Sequence, residues 1–315
     1  SRSGTDAMTD LVVSTKGLTR RFGEKTAVDN LDLEIRTGQI YGFLGPNGCG
    51  KTTTMRMLTG LLTPSSGSIS VLGRSMPEFA EPLKNEIGYM TQIYSYYRDM
   101  TVLENLMFAA EIYGMPKRKA ATRIDELLET YDLTENVNQL TGSMSGGQRQ
   151  KLALAATVMH SPKLLFLDEP TSAVDPETRR SFWEQLFDLV DQGATMIVST
   201  HFMDEAERCH RLAILEDGAK KADGSPRQLM EELNASVVEV EGAGLRQVKR
   251  KLDGQRKILS TAQVGARLRV LIDKSEVNPI AMLRALLSEY PDAVMSVQRP
   301  NLEDVFVSAT QGDDT

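Results

Sequence analysis

Gly45-Pro46-Asn47-Gly48-Cys49-Gly50-Lys51-Thr52 fits the spacing G-x-x-x-x-G-K-[ST], and that spacing suits the holding of a polyphosphate. Glycines let the backbone fold round an anion, so that successive N–H groups and the start of the next helix face it. The lysine then reaches the β- and γ-phosphates, and the adjacent hydroxyl ligates Mg²⁺. Lys51 and Thr52 hold those places, with Thr53 following. A glycine-rich turn without chemistry is the bland alternative. Against it stand the strand-like run 40–44 before the loop and the helical stretch 51–60 after it, the context the motif requires. A second constellation is Leu164–Leu167 leading into Asp168 and Glu169. A buried strand ending in two carboxylates puts them where open α/β sheets bind ligands. Asp168 is suited to hold Mg²⁺ and Glu169 to orient and polarise an attacking water. Acids often begin loops, so the pair gains weight only beside the phosphate loop.

With both constellations present, the chain resembles the ATPase subunit of ABC transporters. Met144-Ser145-Gly146-Gly147-Gln148 matches the family signature LSGGQ, with Met144 in place of Leu. Read from its residues alone, Ser145 caps a helix running to about residue 159. Two glycines at its start make that terminus suited to an anion. The resemblance implies more: two chains meet head to tail, and this segment of one touches the γ-phosphate held by the other. It likewise implies that Gln92, after the strand Ile87–Thr91, is a lid glutamine touching Mg²⁺ and water. Ser172-Ala173-Val174-Asp175 matches the D-loop, usually SALD. His201 matches the switch histidine that contacts the γ-phosphate, although a lone histidine is more often structural. Phe22, in Arg21-Phe22-Gly23, stands where the family stacks an aromatic on adenine; as an aromatic it also suits a core. The implied cofactors are ATP and Mg²⁺, and the implied reaction is ATP plus water giving ADP and phosphate.

Cys49 invites a separate expectation. It precedes Gly50-Lys51 at the positive end of a helix, and both features favour thiolate, the reactive form. Modification that ATP protects against is expected; the alternative is a buried, inert sulfur. Cys209 has no comparable activating neighbour.

The elements that must position these residues alternate. Strands are expected at Leu11–Ser14, Leu31–Ile35, Ile40–Leu44, Leu164–Leu167, Met196–Ser199 and Leu212–Leu215. Short apolar strands separated by helices predict a parallel sheet buried on both faces. A helical insertion at about 100–160 interrupts it. Thr101 and Glu104 open that insertion as a capping box, and Ile124, Leu127, Leu128 and Tyr131 line one face of a second helix. The expected fold class is α/β: a P-loop NTPase core of the ABC ATPase kind at 8–230, with a helical subdomain, and a small C-terminal α+β domain at 236–311. In that tail the predicted order is strand 236–241, helix 244–253, strands 256–262 and 266–272, helix 279–289, strand 293–299 and helix 301–310, a split βαβ arrangement with one added helix.

The tail, ending Pro300-Asn301-Leu302-Glu303-Asp304-Val305-Phe306, is similar to the extension on ATPases of the type-two ABC export group, which includes drug, polysaccharide and lipid exporters. Ile197–Glu207 resembles the same group. Physically, Asn301 caps a helix with Glu303 and Asp304 in its first turn. Three tyrosines in four residues, Tyr94, Tyr96 and Tyr97, suit a contact surface for a partner, or simply packing over the helical insertion. The resemblance implies an integral-membrane permease as partner and a homodimer, or a dimer with a similar ATPase. It also implies a peripheral place on the cytoplasmic face of a bacterial membrane.

Composition narrows the remaining classes. The 315 residues carry a net charge of −7 and a mean hydropathy of −0.27, typical of a globular chain with a sizeable core. The acidic balance argues against a nucleic-acid partner. A soluble ABC ATPase of nucleic-acid or ribosome-associated work, the runner-up, would usually carry two cassettes, long coiled coils or zinc-binding cysteines, and there are only 2 cysteines. A non-hydrolysing regulator is disfavoured by Glu169. No run of apolar residues is long enough to span a membrane, and the chain reads as cytosolic. Ser1–Ala7 reads as a cloning remnant ahead of Met8, the expected native start.

Overall fold

Ile40–Leu44, Leu164–Asp168 and Thr195–Thr200 are strands in which every residue is buried, as their continuous apolar runs require of a sheet covered on both faces. They pair in parallel, with Arg211–Glu216 beside Ile40–Leu44 and Ile87–Met90 beside Leu164–Asp168. In register, Leu44 lies opposite Thr200 and Asp168 opposite Ser199. The three carboxyl ends are therefore level, and Gly45, Glu169 and His201 leave the sheet side by side.

The structure, a computed structural model, describes residues 11–91, 96–172, 174–242 and 244–310. The chain divides into two units, Ser1–Lys220 and Lys221–Thr315. In the first unit an antiparallel sheet runs in the order Lys25–Arg36, Leu11–Phe22, Ser66–Val71 and Arg74–Met76. Its inward side chains, among them Val13, Leu33, Ile35 and Val71, join Tyr41, Phe43, Met55 and Phe166 in one cluster. Burial of that apolar surface holds the helix Lys51–Leu58 against the parallel sheet. The hairpin strands run well past the expected 11–14 and 31–35, because mutual pairing continues out to Phe22 opposite Lys25.

The helices Val102–Ile112, Lys117–Thr130 and Gly146–Thr157 form the expected insertion, packed through Leu106, Ile124, Leu127, Leu128 and Leu152. Thr101 and Glu104 make the capping box. Several elements escaped the sequence reading, among them the strands Ser66–Val71 and Arg74–Met76 and the helix Pro176–Asp191. Serine and glycine give the first strand little intrinsic strand character, so its pairing with Leu11–Phe22 decides it. The helix is set by Asp175 as N-cap and Pro176 at its first position, and it buries Phe182, Trp183 and Leu186.

The second unit carries a four-stranded antiparallel sheet in the order Ile258–Val264, Arg267–Asp273, Ala235–Glu241 and Val294–Gln298. Helices Leu245–Leu252 and Pro279–Leu286 pack Val248, Leu252 and Leu283 on it. This is the split βαβ order expected, and Leu302–Thr310 is the added helix. Arg269 ties that helix to the sheet: its Nε and Nη2 donate to the two Asp304 carboxylate oxygens at 2.8 and 2.7 Å, and Nη1 donates to Glu239 at 3.0 Å. Among the described residues no helix is long and apolar enough to cross a membrane.

Candidate active site

Gly45–Lys51 connects a buried strand to a helix N-terminus, and the loop's glycines are set by sterics. A Cβ on Gly45 would lie 2.3 Å from the Leu215 carbonyl oxygen; one on Gly50, whose φ is +104°, would lie 2.5 Å from the Ala27 oxygen. Only glycine permits both the approach and the left-handed turn. The result is a concave backbone with Gly48 also left-handed (φ +85°), the shape that wraps an anion. Thr52 is exposed at the start of the helix and Thr53 is half-buried.

Lys51 lies inside this loop with its side chain only 4% exposed. Its Nζ donates to the Gly45 carbonyl at 2.8 Å and the Pro46 carbonyl at 3.0 Å, and stands 3.2 Å from Glu169 Oε1. The other Glu169 oxygen is 3.6 Å from His201 Nδ1. Glu169 itself has φ +46°, a left-handed backbone that costs a residue with a side chain on the order of 1–2 kcal/mol. Its N–H donates to Ser199 Oγ at 2.9 Å, and Ser199 donates in turn to Asp168 Oδ1 at 2.6 Å. One serine thus fixes both neighbouring acids. Burial, with the Asp168 charge adding, pushes the nearby Tyr89 phenol up to about 12; it stays protonated.

Lys51, Asp168, Glu169 and His201 are therefore one site. Ser145 Oγ accepts from the Gln148 N–H at 3.2 Å and Gln148 Oε1 accepts from the Ser145 N–H at 2.9 Å, so the signature residues form the helix cap that their types predict. Gly147 permits a close approach to the next helix, since a Cβ there would meet Thr178 Cγ2 at 2.8 Å. Asp175 caps that helix, and its hydrogen bonds with Thr178, side chain first and then backbone, hold its carboxyl below the usual range. Among the described residues no hydrogen bond or ion pair joins Ser145–Gln148 to Gly45–Thr53. Phe22 is 48% exposed at the hairpin tip, with the Arg20 guanidinium 4.5 Å from its ring centre. Gln92, Tyr94 and Ala173 lie outside the described residues.

The expectation for Cys49 is reversed. Its side chain packs in the hydrophobic cluster beneath the loop, and burial pushes the thiol above its ordinary value, outweighing the opposing pull of Lys51. Cys209 is raised further, by burial and then by the Glu205 charge.

Sequence reasoning missed Ser199, Thr171, Thr200, Glu205 and Gln150. Gln150 Nε2 donates to the Pro170 carbonyl at 2.8 Å and so ties the signature helix to the turn after Glu169. The one available signal was the Ser199-Thr200 pair closing an otherwise apolar strand.

Among the described residues no cluster of three or more His, Cys, Asp or Glu forms a ready metal cage. The donor set here, one hydroxyl and one carboxylate beside a phosphate loop, instead fits Mg²⁺, which keeps most of its waters and phosphate ligands.

The chain is similar to known proteins. Residues 28–172 match the family model described as ABC transporter. A probable multidrug ABC transporter ATP-binding protein, YbhF of Escherichia coli, is 42% identical over 220 residues, 70% of this chain; the chain spans only 38% of that relative's length. The Nod factor export ATP-binding protein I of Cupriavidus metallidurans is 36% identical over 302 residues, covering 95% of this chain and 97% of its own. Among solved structures, the cbiO1 subunit of a Clostridium perfringens ABC transporter complex superposes with a TM-score of 0.65 at 25% identity, over 71% of this chain and 92% of its own. A dimeric ATP-binding cassette in a post-hydrolysis state with ADP and phosphate gives 0.62 at 26% identity, over 68% and 98%.

Proposed function

The chain belongs to the ABC transporter ATP-binding family, and from that premise we propose that it hydrolyses ATP to drive export through a separate membrane permease. The observation that carries the reading is the Glu169 carboxylate held between Lys51 and His201 at the carboxyl end of the parallel sheet. Gly45–Lys51 cradles the phosphates through backbone N–H groups, and Lys51 supplies charge at the β- and γ-phosphates. Glu169 orients water and takes its proton, and His201 contacts the γ-phosphate. Thr52 and Asp168, with Gln92, would hold Mg²⁺, which would supply positive charge at the phosphates. Phe22 offers its exposed ring to adenine.

Ser145–Gln148 and Asp175 serve the site of a second copy. Their helix cap is suited to a γ-phosphate, yet no described contact joins them to this chain's own phosphate loop. Head-to-tail pairing is the arrangement that uses both halves, and a solved relative described as dimeric, with ADP and phosphate, supports pairing of two copies.

One observation supports export and a second supports a permease partner. The alignment with the Nod factor export protein, 302 residues long, is longer than the first unit, so it takes in the second unit as well. A groove of 460 Å³ beside the parallel sheet is lined by Tyr89, Tyr96, Tyr97, Phe108, Ile112 and Tyr113 among others. Tyr97 and Phe108 meet edge to face at 5.0 Å between ring centres, and aromatic surface of this kind suits a partner's helix. The permease docks there in this reading, which puts the chain on the cytoplasmic face of a bacterial membrane. ATP turnover, and its loss in Glu169→Gln with nucleotide binding kept, tests the reading.

A further inference from the structure

Glu205 is a carboxylate 1% exposed, on the short helix Met203–Ala206 that follows His201. Burying a charge this fully is costly unless every lone pair finds a donor. Its partners, two hydroxyl donors and one guanidinium, come from three separate stretches of chain. Thr171 Oγ1, two residues after Glu169, donates to Oε1. Thr200 Oγ1, the residue before His201, donates to Oε2 at 2.6 Å. Arg179 Nε, on the helix capped by Asp175, adds an ion pair with Oε1 at 3.4 Å without hydrogen-bond geometry.

Each partner adjoins a residue of the proposed site. Thr200 Oγ1 also accepts the Phe202 N–H at 3.0 Å, so the backbone on both sides of His201 is pinned. The Phe202 ring centre lies 4.1 Å from that of His201, and the Arg179 guanidinium sits 3.8 Å from the centre of the same Phe202 ring. A single carboxylate thus binds the turn after the base, the strand end before the histidine, and the helix after Asp175.

We infer that Glu205 is a positioning residue for hydrolysis: it holds Glu169 and His201 in mutual register and links both to the Asp175 segment through Arg179. The inference rests on the proposed roles of Glu169 and His201. It also gives the second copy a route of influence, since Asp175 belongs to the half of the site offered to that copy. A shift of Asp175 and its helix moves Arg179, and Arg179 bears on both Glu205 and the ring next to His201.

Thr171 provides the cleanest test, because Thr171→Val keeps the shape and removes the hydroxyl donor, whereas Thr171→Ser keeps the donor. ATP turnover, KM and the affinity for a non-hydrolysable ATP analogue are measured on the full chain, with melting temperature alongside. Thr171→Val is expected to lower kcat by about 10- to 100-fold, the scale of a misplaced reacting group. KM and analogue affinity stay within about threefold, as for an interaction felt only at the chemical step. Thr171→Ser is expected to restore kcat. Wild-type kcat in Thr171→Val would overturn the inference, as would equal slowing in both variants or a loss confined to KM. If Thr171→Val does not fold, Thr200→Val against Thr200→Ser carries the same comparison with the same outcomes. Full turnover by Glu169→Gln, in contrast, would overturn the base assignment and leave the origin of the fault identifiable.

Discussion

Lys51 Nζ stands 3.2 Å from Glu169 Oε1, and both side chains are buried. The pair joins the phosphate loop to the end of the strand Leu164–Asp168, two segments far apart in sequence. A buried pair of this kind gives little net stability but is costly to break from one side, because the remaining charge is left uncompensated. Substitutions here must therefore be chosen for shape as well as charge.

Glu169→Gln preserves shape and a hydrogen-bond acceptor for Lys51, and removes the basicity proposed to draw a proton from water. Turnover is expected to fall by at least about 100-fold, the contribution of a positioned general base. Affinity for ATP by calorimetry stays near the wild-type value, and the ATP-bound dimer accumulates in gel filtration. Turnover equal to wild type would remove Glu169 from the role of base.

Lys51→Ala tests binding rather than chemistry. Loss of one charge-assisted contact to phosphate, about 1.5–3 kcal/mol, should weaken ATP binding by at least about tenfold. Because Glu169 then keeps an unpaired charge, Lys51→Arg is the companion variant, with thermal unfolding measured on both. An unchanged dissociation constant in a folded Lys51→Ala protein contradicts the phosphate role.

The parts of the site legible in sequence are those whose residue types are constrained locally. Gly45 and Gly50 admit no Cβ, and the apolar run Leu164–Leu167 before two acids reads as a buried strand beside a phosphate loop. The parts that were not legible depend on partners distant in sequence. Ser199 reaches Asp168 across 31 residues, and Thr171 reaches Glu205 across 34; nothing local marks a serine or threonine for such a bond. Cys49 failed for a related reason. Helix dipole and Lys51 were visible in sequence, while the desolvation that outweighs them comes from strands and helices elsewhere in the cluster.

That reversal has a direct consequence. With the thiol pushed up by burial, little thiolate exists near neutral pH, so a maleimide should leave Cys49 unmodified in the folded protein, with or without Mg-ATP. Cys209, also buried, behaves alike. Both label on denaturation, as read by peptide mass spectrometry. Labelling of Cys49 in the folded chain that ATP slows would restore the activated-thiolate reading.

The aromatic groove predicts a partner-specific defect. Tyr97 is held through its backbone, its N–H donating to Asn105 Oδ1 at 2.8 Å and its carbonyl accepting from Asn105 Nδ2 at 3.1 Å. Replacing the side chains in Tyr96→Ser with Tyr97→Ser therefore keeps the loop's anchor while removing apolar contact surface. Co-purification with the permease should fall sharply, by about tenfold for two aromatic contacts at an interface centre. Undiminished co-purification and transport would reduce these tyrosines to packing.

His160 makes stability depend on pH. Its ring stacks on Tyr113 with centroids 3.6 Å apart, and its Nε2 bonds the Ile87 carbonyl at 2.8 Å. Burial lowers its pKa, with the Ile87 bond opposing. Protonation would also place a donor on Nδ1, a buried atom without a hydrogen-bond partner. In the unfolded chain the same group titrates near 6.5. The folded state therefore binds the proton less readily, so this contribution is whole above about pH 6.5 and is lost as pH falls through the folded value, with a slope of at most about 1.4 kcal/mol per pH unit. Other groups titrate too, so the comparison is with His160→Gln, whose amide can donate to Ile87 without titrating. Denaturant midpoints at pH 7.5 and 5.5 should fall further in wild type than in His160→Gln. Parallel falls in the two proteins would show that the buried imidazole contributes nothing to the pH dependence.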